Sequence, residues 1–151
     1  MKSRIVTNSS CLIALDRINR LELLSDSFRK IIIPPAVSRE VDLKLGWLSV
    51  TPIKNHSLVR ILNTQIDDGE SEAIALSLEL NNVYILLDDK KARRVAKQLG
   101  LEVMGTIGLI LRAKRIGLIH EIKPILNELQ DVDFRIKDSL YYEALRLANE
   151  K

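Results

Sequence analysis

The stretch Val83-Tyr84-Ile85-Leu86-Leu87-Asp88-Asp89 decides the fold class of this chain. Five apolar residues in a row are typical of a strand that is buried on both faces of a parallel sheet. The run stops at two aspartates, and ligands of open α/β sheets bind beyond the carboxyl ends of the strands. The segment therefore predicts a parallel sheet with carboxylates at its ligand-binding edge, and carboxylates gathered there suggest a divalent cation.

Other segments bring polar side chains to the same edge. The residues Arg4-Ile5-Val6-Thr7 are typical of a first strand, which leads directly into Asn8 at the start of an apolar helix. A run of isoleucines at 31–33 precedes a second helix, on which Glu40 lies beside the apolar stripe. Glu70 opens a third helix and shares a face with apolar residues one turn later. Their positions predict that these three side chains meet at the sheet edge.

Strands alternate with helices along the whole chain, which favours βαβ units and right-handed crossovers. At 151 residues the chain has the length of one domain. We therefore predict a single α/β domain over 1–151, with a central, mostly parallel sheet flanked by helices and a C-terminal helical extension over 121–151. Strands are expected at 4–7, 31–33, 48–53, 83–87 and 101–104, and helices at 12–24 with a break near Asn19, 58–66, 69–76, 92–99 and 107–116.

The composition is that of an ordinary soluble globular protein, with 46% apolar, 28% charged and 4% aromatic residues. No apolar stretch approaches the ~20 residues that span a bilayer, and we expect neither a signal peptide nor a membrane segment. Cys11 is the only cysteine, which excludes an internal disulfide and a cysteine-rich zinc site. A cytoplasmic location is the expectation.

The net charge of +3 is unevenly distributed. Two basic runs follow the expected acidic edge closely in sequence. A basic rim around an acidic centre would hold a polyanion by its phosphates next to a metal; the alternative is that these residues form the solvated faces of two helices. The runs consist of Lys90, Lys91, Arg93, Arg94 and Lys97, and of Arg112, Lys114 and Arg115.

Five segments, in this order, resemble the PIN-domain superfamily, and most closely its prokaryotic PIN-like branch related to VapC-type toxin ribonucleases. The resemblance implies a Rossmann-like domain whose acidic cleft binds Mg²⁺ or Mn²⁺ and hydrolyses RNA. Each motif is weak alone, whereas the ordered set covers nearly the whole chain. The segments are 6–15, 33–40, 69–76, 87–93 and 105–108.

The resemblance also implies which residues act. The family's four acidic positions, expected to be both catalytic and metal-binding, fall on Asn8, Glu40, Glu70 and Asp89. Asp88 and Glu72 are reserves for neighbouring positions, and Ser10 matches a hydroxyl that orients the first side chain. The first position is normally Asp; Asn offers a carbonyl oxygen to a hard cation but brings no charge.

Two functional hypotheses follow. The first is a metal-dependent endoribonuclease that pairs as a homodimer and acts as the toxin of a toxin–antitoxin pair, with RNA phosphates held by Lys90, Arg93, Arg94 and Lys114. The second is a catalytically weak or inactive module that binds nucleic acid or a protein, because Asn8 removes one negative charge. A histidine-based site is not expected, since His56 and His120 lack any ligand spacing.

Overall fold

The computed structural model describes residues 3–151. It contains five strands, which are β1 (Arg4–Thr7), β2 (Lys30–Ile33), β3 (Leu48–Val50), β4 (Tyr84–Leu86) and β5 (Glu102–Met104). They form one sheet in the order β3-β2-β1-β4-β5, and every pairing is parallel. The predicted single α/β domain with a mostly parallel sheet is confirmed.

The described residues form nine helices, which surround the sheet. These are α1 (Ser9–Arg17), α2 (Glu22–Ser25), α3 (Pro35–Val41), α4 (His56–Leu62), α5 (Asp68–Leu80), α6 (Lys90–Gln98), α7 (Thr106–Arg115), α8 (Lys123–Asp131) and α9 (Asp138–Leu147). The break expected near Asn19 separates α1 from α2, and Asn19 itself has a φ of 58°, a left-handed conformation that asparagine tolerates. None of the described helices has both the length and the apolar character needed to cross a bilayer.

The strand order creates a switch point beside β1. The chain runs from β1 outward to β2 and β3, then returns to the opposite side of β1 to form β4 and β5. The carboxyl ends of β1 and β4 therefore lie side by side while the chain leaves them in opposite directions, which is where open α/β sheets bind ligands. Asn8 directly follows β1, and Asp88 and Asp89 follow β4.

The core is divided by the sheet into two main apolar clusters. Alternate strand residues face opposite sides, so that Ile5 and Leu86 join one cluster and Val6 and Ile85 join the other. Residues of α1, α2, α3, α7, α8 and α9 join the first cluster, and residues of α4, α5 and α6 join the second. Burial on both faces explains the unbroken apolar runs at 31–33 in β2 and 84–86 in β4.

The helices of the expected C-terminal extension are part of the main core. Ile125, Leu126 and Leu129 of α8 and Ala144 and Leu145 of α9 are buried in the first cluster. Glu150 ties the chain end back, since its carboxylate accepts hydrogen bonds from the backbone N–H groups of Ile122 and Lys123 and from Lys114. Residues 121–151 therefore pack into the same apolar cluster as residues of α1, α2 and α7.

Candidate functional site

A cavity of about 140 Å³ lies at the carboxyl edge of the sheet. It brings together the four side chains that were predicted as catalytic. Asp67 and Gly69 also line it and were not predicted, although the Asp67-x-x-Glu70 spacing at a helix start is that of a capping box. The lining residues are Asn8, Ser9, Ser10, Glu40, Asp67, Gly69, Glu70 and Asp89.

Asn8 is buried and caps α1. Its Oδ1 accepts a hydrogen bond from Cys11 N at 3.1 Å. Because a backbone N–H can only donate, this contact fixes the amide orientation. The amide Nδ2 therefore faces the other way and donates to Ser10 Oγ at 3.0 Å and to Asp88 Oδ2 at 3.5 Å. Oδ1 keeps a second lone pair, with which a cation can be bound.

Glu40 reaches the cavity from α3 and lies against the first turn of α5. Its Oε2 accepts a hydrogen bond from Ser9 Oγ at 3.3 Å. Its Oε1 occupies the space next to Gly69 in which any larger residue would place its Cβ. The absence of a side chain at Gly69 therefore creates room for the Glu40 carboxylate, close to the positive end of the α5 dipole.

Glu70 and Asp67 form a capping box at the start of α5. Asp67 Oδ1 accepts from Glu70 N at 2.9 Å, and Glu70 Oε1 accepts from Asp67 N at 3.4 Å. Burial raises the pKa of Glu70 to about 7, and the negative charges of Asp67 and Asp89 add to the effect. A carboxyl whose pKa is raised by burial and by neighbouring carboxylates is common at functional sites.

Asp89 caps α6 with one oxygen and faces the cavity. Its Oδ2 accepts from Ala92 N at 2.9 Å, and no hydrogen bond from a described residue reaches its Oδ1.

Asp88 is oriented differently. Its Oδ1 accepts from Thr106 N at 2.8 Å and its Oδ2 from Thr106 Oγ1 at 2.7 Å, so Asp88 contacts the start of α7.

Glu72, the other reserve, is engaged outside the cavity. One of its carboxylate oxygens accepts from Ala36 N at 2.9 Å, at the start of α3, and the other lies 4.0 Å from Arg39 Nη2. Because the α3 N-cap residue, Pro34, has no side-chain hydrogen bond of its own, Glu72 serves as the cap of α3. This contact gives Glu72 a structural role.

The cavity carries uncompensated negative charge. Within residues 3–151, no Lys or Arg forms an ion pair with Glu40, Asp67, Glu70 or Asp89. Nor do three Asp, Glu, His or Cys side chains of this part of the chain stand close enough together to hold a metal ion by themselves. The donor set is oxygen only, which suits Mg²⁺, an ion that binds through one or two carboxylates and keeps water and substrate phosphate as its other ligands.

The basic residues predicted to hold phosphate fall into two groups. Lys90, Arg93 and Arg94 line a groove of about 470 Å³ along α6, beginning directly after Asp89. Lys114 does not fit the prediction, because its ammonium group donates to Glu150 Oε2 at 2.8 Å and to the Ala148 carbonyl. Lys114 holds the C-terminal segment against α7, which makes its role structural.

The raised pKa of Glu70 makes the stability of the metal-free protein depend on pH. In the unfolded chain Glu70 ionises near its ordinary pKa of 4.5, whereas in the folded protein it ionises near 7. Folding is therefore favoured by this group below pH 4.5, and the contribution is lost as the pH rises towards 7. We expect Glu70→Gln to remove this pH-dependent loss of stability. The urea midpoint of the variant should therefore decline less between pH 5 and pH 8 than that of the wild-type protein.

Millimolar Mg²⁺ provides the matching control for that series. A cation bound next to Glu70 favours its ionised form, so the wild-type midpoint at pH 8 should rise on adding Mg²⁺. Equal pH profiles of the urea midpoint for wild type and Glu70→Gln would contradict the assignment of a raised pKa to Glu70.

Comparison with known proteins gave one finding. A family model described as a PIN domain matches residues 4–150, which is nearly the whole chain and includes every residue of the cavity. A search of curated proteins found no match.

Proposed function

The chain belongs to the PIN-domain family, a nuclease superfamily, and from this membership and the acidic cavity we propose that it is a Mg²⁺- or Mn²⁺-dependent endoribonuclease. PIN domains generally use divalent metal ions and commonly bind RNA. The observation that carries the proposal is the convergence of Asn8, Glu40, Glu70 and Asp89 on one cavity without a basic partner among the described residues.

In this proposal each cavity residue has a separate task. Asp89, whose Oδ1 accepts no hydrogen bond from a described residue, and Glu70 would hold the cation, and Asn8 would add a neutral oxygen ligand. A divalent cation bound there supplies an activated water and neutralises charge that develops on the phosphate. Glu40 also lines the cavity, where its carboxylate would orient the attacking water through a hydrogen bond. Ser9 Oγ donates a hydrogen bond to that carboxylate.

Two shallow grooves continue from the cavity and offer a path for a single RNA strand. One, of about 450 Å³, shares Asp67, Glu70 and Asp89 with the cavity and extends to the turn at 63–65. The other, of about 360 Å³, shares Glu40 and Asp67 and extends to residues of α3. We place the scissile phosphate in the cavity and its neighbouring nucleotides in the grooves.

The lining of the grooves favours recognition by hydrogen bonds. No aromatic residue within 3–151 lines either groove, so this part of the chain offers no stacking platform there. Asn63 and Gln65 expose amide groups that can pair with base edges, and Lys91 and Arg39 contribute positive charge at the two ends. Lys90 and Arg94, at the start of α6, would contact phosphates further along the strand.

The partner proteins of the toxin hypothesis are likewise a proposal. The last helix, α9, leaves three large apolar side chains exposed, namely Leu140, Tyr142 and Leu147. A second copy of the chain or a small antitoxin would bury apolar area on this helix, none of whose residues lines the cavity.

The proposal is tested by incubating purified protein with end-labelled single-stranded RNA in Mg²⁺, in Mn²⁺ or in EDTA. We expect internal cleavage with either cation and none in EDTA, and DNA of the same sequence serves as the substrate control. RNA binding without cleavage under all three conditions would overturn the nuclease proposal and support the inactive binding module.

A further inference from the structure

A continuous chain of hydrogen bonds joins the first turns of α1 and α7 through Asn8 and Asp88. Cys11 N donates to Asn8 Oδ1, and Asn8 Nδ2 donates to Asp88 Oδ2. Both oxygens of Asp88 also accept from Thr106, one from its backbone N–H and one from its hydroxyl. Thr106 is fully buried, Asn8 is 7% exposed and Asp88 is half-buried, so water competes only partly with these hydrogen bonds.

The network needs a group at position 8 that accepts on one side and donates on the other. An amide does both, whereas an ionised carboxylate only accepts. An aspartate at this position would cap α1 equally well, but its second oxygen would face the Asp88 oxygen with no proton between them. Two carboxylates so placed repel each other, and a contact that stabilises the site would be lost.

We propose that Asp88 is a positioning residue for Asn8 and that its presence is the reason why position 8 is an amide. The inference deepens the proposed nuclease function, on which the ligand role of Asn8 rests. Asp88 carries the negative charge that position 8 lacks, but three donor groups occupy its oxygens. It therefore acts by holding Asn8 Oδ1 at the cavity wall and contributes no ligand of its own.

The geometry allows a charge swap that reverses the side-chain hydrogen bonds of the network and keeps the two donated by the backbone N–H groups of Cys11 and Thr106. In the double variant Asn8→Asp/Asp88→Asn, the new amide at position 88 donates to the new carboxylate at position 8. The amide oxygen at position 88 still accepts from Thr106 N. The hydroxyls of Ser10 and Thr106 can rotate from one hydrogen-bond role to the other. The single variants lack this solution, since each leaves two acceptors or two donors facing each other.

Urea unfolding in EDTA tests the network without any metal. We expect each single variant to lower the folding equilibrium constant by about tenfold or more, and the double variant to stay within about threefold of wild type. Asn63→Asp adds the same charge at the mouth of a neighbouring groove, without a hydrogen bond to Asp88, and should change the constant less. Single-variant losses that simply add up in the double variant would overturn the proposal.

Mn²⁺ affinity, measured by titration calorimetry, separates positioning from a purely structural role. Because the double variant has the same total charge as wild type but places it on the ligand at position 8, we expect it to bind Mn²⁺ several-fold more tightly. Asp88→Asn should bind several-fold more weakly than wild type. Equal affinities in all three proteins would contradict the positioning role. If wild type binds no Mn²⁺, the nuclease proposal fails, while the unfolding series still decides whether Asp88 positions Asn8.

Discussion

Replacing Asp89 by asparagine is expected to slow RNA cleavage by about a hundredfold or more while leaving the fold intact. The asparagine keeps the cap of α6, because its side-chain oxygen accepts from Ala92 N as Asp89 Oδ2 does. What it removes is the negative charge on the oxygen that faces the cavity. The rate is measured in single-turnover cleavage with Mg²⁺ or Mn²⁺, and the fold by thermal unfolding.

Asp138→Asn is the matched control for this prediction. Asp138 also lies at the start of a helix, α9, and is exposed outside the cavity, so its replacement changes net charge equally and should leave cleavage unchanged. A wild-type rate in Asp89→Asn would remove Asp89 from the metal-binding set. Equal losses in both variants would trace the effect to net charge.

The second large effect is expected from Gly69→Ala, which should reduce cleavage about tenfold or more without reducing stability. The new Cβ would overlap Glu40 Oε1, and Glu40 can swing away because it is the end of a flexible, exposed side chain. The other close neighbour, Val37 Cγ2, remains at an ordinary contact distance of 3.5 Å. Alanine also has a higher helix propensity than glycine, by up to ~1 kcal/mol. The expected loss of cleavage would therefore come from the displaced Glu40 carboxylate and not from a less stable fold.

Two comparisons make this prediction specific. Gly46→Ala introduces a Cβ with no atom within 4 Å and should leave cleavage at the wild-type rate. If Gly69→Ala acts by displacing Glu40, adding it to Glu40→Ala should cause no further loss. A double variant much slower than Glu40→Ala alone would show that Gly69 acts by another route.

The strands could be predicted because burial on both faces gives them continuous apolar runs. The first strand was placed at 4–7, where β1 lies, and the isoleucines at 31–33 lie within β2. Helix boundaries were less accurate because caps determine them. The basic helix was predicted to begin at Ala92, whereas α6 begins at Lys90, directly after the cap Asp89. Periodicity identifies the buried face of a helix, and the capping hydrogen bond determines where the helix starts.

The functional site was only partly predictable, because some of its contacts join residues that are far apart in sequence. The order of motifs implied Asn8, Glu40, Glu70 and Asp89, since each stands at a fixed place relative to a strand or helix. The role of Gly69 depends on the packing of α3 against α5, which no local pattern contains. The structural role of Lys114 depends on Glu150, which is 36 residues away in sequence.

Asn8 and Asp89 each cap a helix, and Glu70 completes the capping box of another. Evolution therefore has a second reason to keep these three residues. A descendant that had lost all nuclease activity by mutational drift would still retain them for folding. Glu40 caps no helix and is held only by Ser9 among the described residues, so under the proposed function its retention depends on catalysis alone. In a lineage of such proteins, a substitution at position 40 would therefore be the earliest sequence change to follow the loss of the proposed activity.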